Sequence, residues 1–218
     1  MQNTGKNTLA NGLKQIKPSK NSHSSESDLL SHQYTESKYS NVAIYLHWII
    51  AFLMVVNIFI GWTADLMPEA SIRFAIDTHK SIGISLMGLV LLRISWRFTH
   101  QPPALPKSFH IWEIKLSHLV HVSLYLLMLA IPVSGWLHDS AWKDAAAHPL
   151  LLFYEVPWPR IGLIEHMNPV AKEVLHTVFG AVHEWLGIAL VMLFLLHIAA
   201  VIKHSWIDHE TVLNRMLP

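Results

Sequence analysis

Four apolar stretches, separated by polar connections, dominate the pattern of the chain after residue 40. Each is about 20 residues long, which is the length that an α-helix needs to cross a hydrocarbon core of roughly 30 Å. The second stretch is the least apolar because Arg93 and Arg97 lie in its last turns, from where long cationic side chains can reach the headgroups. The pattern predicts an all-α fold, an integral membrane four-helix bundle. Its helices are expected at about residues 42–64, 79–98, 115–137 and 178–203.

The polar segments divide the chain into two parts. Residues 1–40 are rich in Ser, Asn, Lys and Gln and have no sustained apolar face, so they are expected to form a disordered cytoplasmic tail. This segment lacks the apolar core and the small-residue cleavage site of a signal peptide. Residues 41–218 form the predicted transmembrane domain. Its long connection 138–178 is expected to lie at the membrane surface or to cover a site.

Lysine and arginine are distributed unequally between the two sides of the predicted bundle. Four spans place both termini on one side, and eleven of the 16 lysines and arginines fall on that side. Because cytoplasmic segments carry the excess of these residues, both termini are predicted to be cytoplasmic. For a bacterial protein, this topology is that of a multi-pass protein of the cell inner membrane whose far side faces the periplasm.

Composition narrows the function further. The chain is 52% hydrophobic and 14% charged, against about 25% charged residues in a soluble domain. Lipid is therefore an expected partner. The formal net charge is +1, and no basic block marks one soluble face, which argues against a nucleic-acid partner. The chain has no cysteine, which excludes cysteine-ligated iron–sulfur clusters and covalent haem attachment through a CxxCH motif.

The 16 histidines supply the candidate chemistry, and their positions fall at two depths of the bundle. The run HEWLGIALVMLFLLH, residues 183–197, has a histidine at each end. Fourteen residues are close to four whole turns, so both side chains project from one face, roughly 21 Å apart along the axis. The outer layer contains His79 and His183, and the inner layer contains His47, His118, His121 and His197.

Two imidazoles that face each other across a bundle provide the axial ligands of a six-coordinate b-type haem iron. Zinc or copper in a histidine-based metal transporter is the alternative, but such a site needs further ligands. Within the four apolar runs the only carboxylate is that of Glu184. Gly83 and Gly187 each follow an outer-layer histidine by four residues, and a missing side chain there leaves room for a porphyrin face. Small residues also serve helix packing, so the glycines alone decide nothing.

With these residues in place, the chain resembles the bacterial cytochrome b561 family over residues 45–216. The order and spacing of several short motifs carry the resemblance. They are YLHW at 45–48, HKSIG at 79–83 followed by LVLLRISWR, PPALP at 102–106, HLVHVSLYLL at 118–127, IPVSGW at 131–136, the HEWLG…LLH run, and KHSWIDHETVLNRM at 203–216.

The resemblance implies an inner-membrane electron carrier with two b haems per chain. It implies that His47 and His197 ligate the cytoplasmic haem, with His121 as an alternative to His47, and that His79 and His183 ligate the periplasmic haem. It further implies electron exchange with the quinone or quinol pool, and some members resemble quinol-linked superoxide oxidoreductases. A periplasmic redox partner is a further expectation. The rival function is a haem-bearing anchor subunit for a periplasmic dehydrogenase.

Three cations are secondary candidates near the haems. Arg93 and Arg97 are expected either to bind the propionates of the cytoplasmic haem, because guanidinium recognises carboxylate in a bidentate way, or to anchor the helix at the cytoplasmic surface. Lys80 is expected either to serve the outer propionates or to remain a solvated interface lysine. His118 and His204 are candidates for quinone binding or proton transfer, or are interface histidines.

Overall fold

Four long helices form the body of the protein in a computed structural model that describes residues 38–104 and 108–218. All four are long and apolar enough to cross a membrane, as predicted. The chain is therefore a four-helix membrane protein. Most of the predicted tail, residues 1–37, lies outside the described residues, as does the segment 105–107 of the proline-rich loop. The helices are α1 (Asn41–Thr63), α2 (Glu69–Thr99), α3 (Ile111–Ser140) and α4 (Pro169–Ile202).

Side-chain caps mark the starts of α1 and α4. The Ser40 side chain accepts a hydrogen bond from the backbone N–H of Ala43 at the start of α1. The Asn168 side chain accepts one from Ala171 at the start of α4, with Pro169 in the first turn. Such caps satisfy amide groups that have no partner inside the helix.

Two helices extend well beyond their predicted starts. Helix α2 begins ten residues before the predicted position 79, and α4 begins nine residues before position 178. Apolar periodicity marks only the part of a helix inside the hydrocarbon, whereas these added turns carry polar side chains. Helix α3 continues through Pro132, which membrane helices tolerate where neighbouring groups satisfy the freed backbone.

The centre of the bundle is a small apolar core, while the apolar outer faces of the helices are exposed to the bilayer. Helix α3 packs mainly on α4, α1 packs on α2, and α2 also contacts α3. Phe52, Phe59 and Met192 are among the side chains that point outward. The core consists of Ile50, Met54, Leu86, Val90 and Leu190.

The end of the bundle where α1 begins and α4 ends is called the inner end; the opposite end is the outer end. At the inner end, a π-helix (Lys203–Ile207) and a 3₁₀ turn (Asn214–Met216) follow α4. The indole N–H of Trp48 donates to the carbonyl oxygen of Met216 at 2.7 Å, which ties this C-terminal segment to α1.

The outer end is covered by the ordered connection 141–168, which we call the cap. It contains a 3₁₀ turn at Ala145–Ala147, a two-stranded antiparallel sheet, β1 (Leu151–Leu152) and β2 (Val156–Pro157), and one α-helical turn at Gly162–Glu165. Its backbone is held by buried hydroxyls of the bundle. The amide of Phe153 donates to Ser81 Oγ, and that of Ile161 donates to Ser140 Oγ. The sequence analysis expected this connection either to lie at the membrane surface or to cover a site. The structure shows it packed on the ends of α2 and α3.

Candidate functional site: two layers of histidine

His79 on α2 and His183 on α4 meet near the outer end of the bundle. Their ring centroids lie 6.0 Å apart, with the ring planes at 85° to each other. Both side chains are half-buried. The structure therefore brings together the two histidines that the sequence analysis assigned to the outer layer.

Each ring of this outer pair is held from behind by a backbone carbonyl on a neighbouring helix. His79 Nδ1 lies 2.9 Å from the oxygen of Asn57 on α1. His183 Nδ1 lies 3.0 Å from the oxygen of Ile131 on α3, and Ser134 Oγ lies 3.1 Å from the same nitrogen. A carbonyl can only accept, so Nδ1 carries the proton in both rings and Nε2 keeps its lone pair. Metal-ligating histidines are commonly oriented in this way.

A glycine on the neighbouring helix makes room for each ring. A Cβ at Gly61 would lie 2.8 Å from His79 Cε1, and one at Gly135 would lie 3.0 Å from His183 Cε1. In both cases the glycine follows the carbonyl residue by four positions, so the same turn supplies both the space and the acceptor. These two imidazole seats were missed in the sequence, where attention fell on Gly83 and Gly187. In the sequence, the only sign of each seat is a glycine on another helix, four residues after the position whose carbonyl holds the ring.

The inner layer contains three half-buried imidazoles. The rings of His121 and His197 lie 5.2 Å apart at 82°, and His121 Nδ1 donates to the Ser117 carbonyl of its own helix at 2.7 Å. His47 lies in the same part of the bundle as these two rings and packs its own ring edge-on against Trp48. In the described part of the chain, neither His47 nor His197 forms a hydrogen bond. The inner layer thus joins all the expected residues except His118, which is exposed.

The secondary cations have defined partners. Arg93 donates to the Ala43 carbonyl at 2.7 Å and to the Tyr125 hydroxyl at 3.1 Å, and so connects α1, α2 and α3 at the level of the inner histidines. Arg97, one turn further toward the inner end, is exposed. These contacts give Arg93 a further role as a link between helices, while the two roles expected for the arginines stay predictions.

Lys80 belongs to a charge network that the sequence analysis missed. Its ammonium lies 2.7 Å from Asp139 Oδ1, while Arg160 from the cap donates to Asp139 Oδ2 at 2.9 Å. The side chains of Asp139 and Arg160 are 6% and 7% exposed. Lys80 is also 3.5 Å from Asp77, so it is not simply a solvated lysine. Because the three partners are widely separated in sequence, only the fold reveals that this network fastens the cap beside His79.

A third imidazole seat occurs at the outer end. His138 on α3 and His176 on α4 stack with ring centroids 3.8 Å apart, and the Nδ1 of each bonds to the carbonyl of the other. Gly180 leaves space for the His138 ring. The stacking distance leaves no room for a metal atom between the rings, so this pair differs from the outer and inner layers.

The inner end carries one further histidine with a carboxylate. His204 Nδ1 lies 2.7 Å from Asp208 Oδ2, and Lys203 bridges Asp208 and Glu113 at 2.7 Å and 3.1 Å. The hydrogen bond from the Lys203 ammonium lowers the pKa of Asp208. Among the described residues, Glu113, His204 and Asp208 are the one group of three metal-type ligands, and the lysine between the two carboxylates disfavours a cation there.

Comparison with known proteins identifies the family. The sequence profile of the prokaryotic cytochrome b561 family matches residues 38–218. The chain belongs to this family. The predicted resemblance is thus confirmed over the four helices, the cap and the C-terminal segment. Membership assigns electron transfer as the function of this cytochrome b561 family protein, haem b as its cofactor, and the cell inner membrane as its location.

Three relatives align over nearly their full lengths. Cytochrome b561 homolog 2 of Escherichia coli strain K12 is 29% identical over 185 residues, which cover 84% of this chain and 93% of the relative. Cytochrome b561 homolog 1 of the same organism is 23% identical, with 84% and 98% covered. The protein named "Probable superoxide oxidase CybB" of Yersinia pestis is 26% identical over 186 residues, with 83% and 96% covered.

The residues of the two layers fit haem b. Each outer ring has its Nδ1 proton engaged, its Nε2 lone pair unengaged, and a glycine seat that a Cβ would fill. A Cβ added at Gly187, one turn from His183, would meet no atom within 4 Å, so the space next to this imidazole is open. The donors are imidazoles alone, which suits haem iron better than a tetrahedral ion.

Proposed function

We propose that this cytochrome b561 family protein binds two b haems, one in each histidine layer, and passes single electrons between quinol and a one-electron partner. Two separate layers of imidazoles support the number two. His183 and His197 lie on one face of α4, roughly 21 Å apart along the helix, so each layer has its own depth in the membrane. Bound haem supplies the one-electron chemistry, while the protein supplies the position and the electrostatic surroundings.

For the outer layer we propose His79 and His183 as the axial ligands. The carbonyls of Asn57 and Ile131 hold both rings through Nδ1, which sets their tautomers and leaves Nε2 as the ligating nitrogen. Such partners of a ligating histidine typically change metal affinity by about 10–100-fold.

For the inner layer we propose His47 and His197. Neither ring nitrogen of these two residues has a hydrogen-bond partner among the described residues, and unpartnered polar groups at membrane depth are costly. His121 already donates its Nδ1 proton to Ser117 and packs edge-on against His197. We therefore assign His121 a positioning role beside His197, with direct ligation as the alternative that ligand variants separate.

The proposed orientation places both termini in the cytoplasm, because eleven of the 16 lysines and arginines belong to the inner side. Quinol oxidation releases protons and quinone reduction consumes them, and we propose His204, whose Nδ1 lies 2.7 Å from Asp208 Oδ2, as the residue for proton transfer at this end. For the one-electron partner we propose superoxide, which the printed name of the Yersinia pestis relative suggests. In that direction two superoxide ions would each give up one electron and become O₂, and one quinone would take up the two electrons and two protons to become quinol.

Haem stoichiometry and ligand variants test the proposal. A pyridine haemochromogen assay on fully loaded protein should return two haems per chain with low-spin spectra. His79→Ala and His183→Ala should each remove the outer haem and leave the inner haem low-spin. His47→Ala and His197→Ala should each remove the inner haem and leave the outer haem low-spin. If His121→Ala removes a haem while His47→Ala leaves both low-spin, the inner assignment is wrong.

Quinol reactivity tests the partner independently of the ligands. A ubiquinol analogue should reduce the oxidised protein in detergent to the extent that dithionite does. If quinol leaves the protein oxidised under those conditions, the quinol assignment fails, while the electron-carrier function assigned through the family still stands. Superoxide generated enzymatically should likewise reduce the protein, and the absence of any spectral change would exclude it as the partner.

A further inference from the structure

A cationic cavity of about 290 Å³ opens at the inner end, between the first turn of α1, the last turns of α2, and α3. Its charged lining residues are Lys38, Arg93 and Arg97, and no Asp or Glu lines it. None of these three cations forms an ion pair with a carboxylate in the described ranges 38–104 and 108–218. A cavity with three positive charges and no counter-charge of its own is suited to an anionic ligand.

The deepest cation is held in a fixed orientation. Two nitrogens of the Arg93 guanidinium donate to the Ala43 carbonyl and the Tyr125 hydroxyl, so its remaining N–H groups are presented without a loss of side-chain freedom on binding. Arg97 lies four residues later on α2, about one turn closer to the inner surface. Together they line the cavity from the membrane interior to its mouth, where Lys38 is exposed.

Aromatic side chains form a rigid wall on one side. The Trp96 indole stacks on His100 at 3.8 Å and 6°, and its N–H donates to Ser40 Oγ at 3.0 Å. Tryptophan and tyrosine favour the headgroup level of a bilayer. Tyr39 also lines the cavity, and Phe98, 86% exposed, continues the apolar face of α2 beside Arg97. The cavity is therefore positioned at the boundary between headgroups and acyl chains.

We propose that this cavity binds the phosphate group of an anionic phospholipid in the leaflet at the inner end. Guanidinium groups bind phosphate oxygens in a bidentate manner, and basic pockets between transmembrane helices on the cytoplasmic side bind lipid headgroups of this kind. Free phosphate offers the same charge, but it would leave the interfacial aromatic residues and the apolar face of α2 without a role. The proposal does not depend on the identity of the haem ligands.

Lipid binding to the purified, haem-loaded full chain tests the proposal. Phosphatidylglycerol, phosphatidylcholine and inorganic phosphate are titrated separately in a neutral detergent, with retained lipid counted by native mass spectrometry and thermal stability measured in parallel. Phosphatidylglycerol should bind and raise Tm, whereas phosphatidylcholine should not. Arg97→Gln and Lys38→Gln should each weaken phosphatidylglycerol binding about fivefold, as expected for one cation near an anionic headgroup.

Lys115→Gln is the matched control, because Lys115 is an exposed cation near the same end of the bundle and lies outside the cavity. This variant should retain the affinity of the unaltered chain. Equal loss in Lys115→Gln, equal binding of phosphatidylcholine, or full competition by inorganic phosphate at millimolar concentration would each overturn the phospholipid assignment. Loss of haem from Arg97→Gln with phosphatidylglycerol affinity unchanged would also overturn it and would assign the cavity to haem propionates.

Discussion

The glycine seat of His79 offers a sharp test, because Gly61→Ala adds one methyl group at a place where the structure has no room for it. The new Cβ would lie 2.8 Å from Cε1 and 3.0 Å from Nδ1 of the imidazole. Carbon atoms in favourable contact are about 3.5–4.0 Å apart. The ring must therefore move away from α1 by roughly 0.7 Å or more, in the direction that lengthens its 2.9 Å hydrogen bond to the Asn57 carbonyl.

Two effects follow from that displacement. A lengthened hydrogen bond costs about 0.5–1.5 kcal/mol, and the loss of an orienting partner of a metal-ligating histidine typically lowers metal affinity by about 10–100-fold. Alanine also has a higher helix propensity than glycine by about 1 kcal/mol, so overall stability is expected to change little. Gly61→Ala should therefore fold normally and lose affinity for one haem by about 10–100-fold.

The assay measures haem per chain and the visible spectrum during titration of haem-depleted protein with haemin. Gly88→Ala on α2 is the control, since a Cβ there meets no atom within 4 Å, and it should bind two haems with unaltered affinity. Gly135→Ala should show an intermediate effect, because its Cβ would lie 3.0 Å from His183 Cε1 and 3.2 Å from Nδ1. If Gly61→Ala binds both haems as tightly as Gly88→Ala, the imidazole seat has no functional role.

Two further substitutions test the charged groups at the opposite ends of the bundle. Asp139→Asn leaves Lys80 and the buried Arg160 without their shared carboxylate. It should destabilise the protein by about 3–5 kcal/mol and make the cap sensitive to limited proteolysis. The control is Asp77→Asn, which removes only the 3.5 Å contact to the same lysine and should change stability by about 0–1 kcal/mol. A cap equally resistant in both variants contradicts the tethering role. The lowered pKa of Asp208 means that its contribution to stability is present above its unfolded pKa of about 3.9 and is lost as the pH falls through the folded value. The Tm difference between the unaltered chain and Asp208→Asn should thus be constant from neutral pH to about pH 5 and close below about pH 4; a difference that persists at lower pH would refute the ion-pair explanation.

Hydrophobic patterning located the four spans because a helix in hydrocarbon must be apolar over its whole circumference. The same reason explains why it placed the starts of α2 and α4 about ten residues too late, since turns beyond the hydrocarbon carry polar residues and leave no apolar signal. The depth of each histidine followed from the fixed rise of the helix. His79 and His183 could therefore be paired from the sequence, because only these two candidates occupy the outer layer.

Features that depend on how the helices cross were not accessible in this way. The seats at Gly61 and Gly135 pair a glycine on one helix with an imidazole on another, and a sequence shows only the positions along each helix separately. The link from Arg160 in the cap to Asp139 in α3 has the same character. Gly83 and Gly187, which the sequence did single out, lie on the ligand helices themselves and retain open space or only loose contact.

The two histidine layers differ in how many hydrogen bonds to the backbone hold their rings. Both outer rings are fixed by a carbonyl on another helix, so the fold selects one orientation and one tautomer for each. In the inner layer only His121 has such a bond, and the acceptor is on its own helix. The rings of His47 and His197 are consequently oriented by packing alone, and the metal bond itself is the interaction that would fix them.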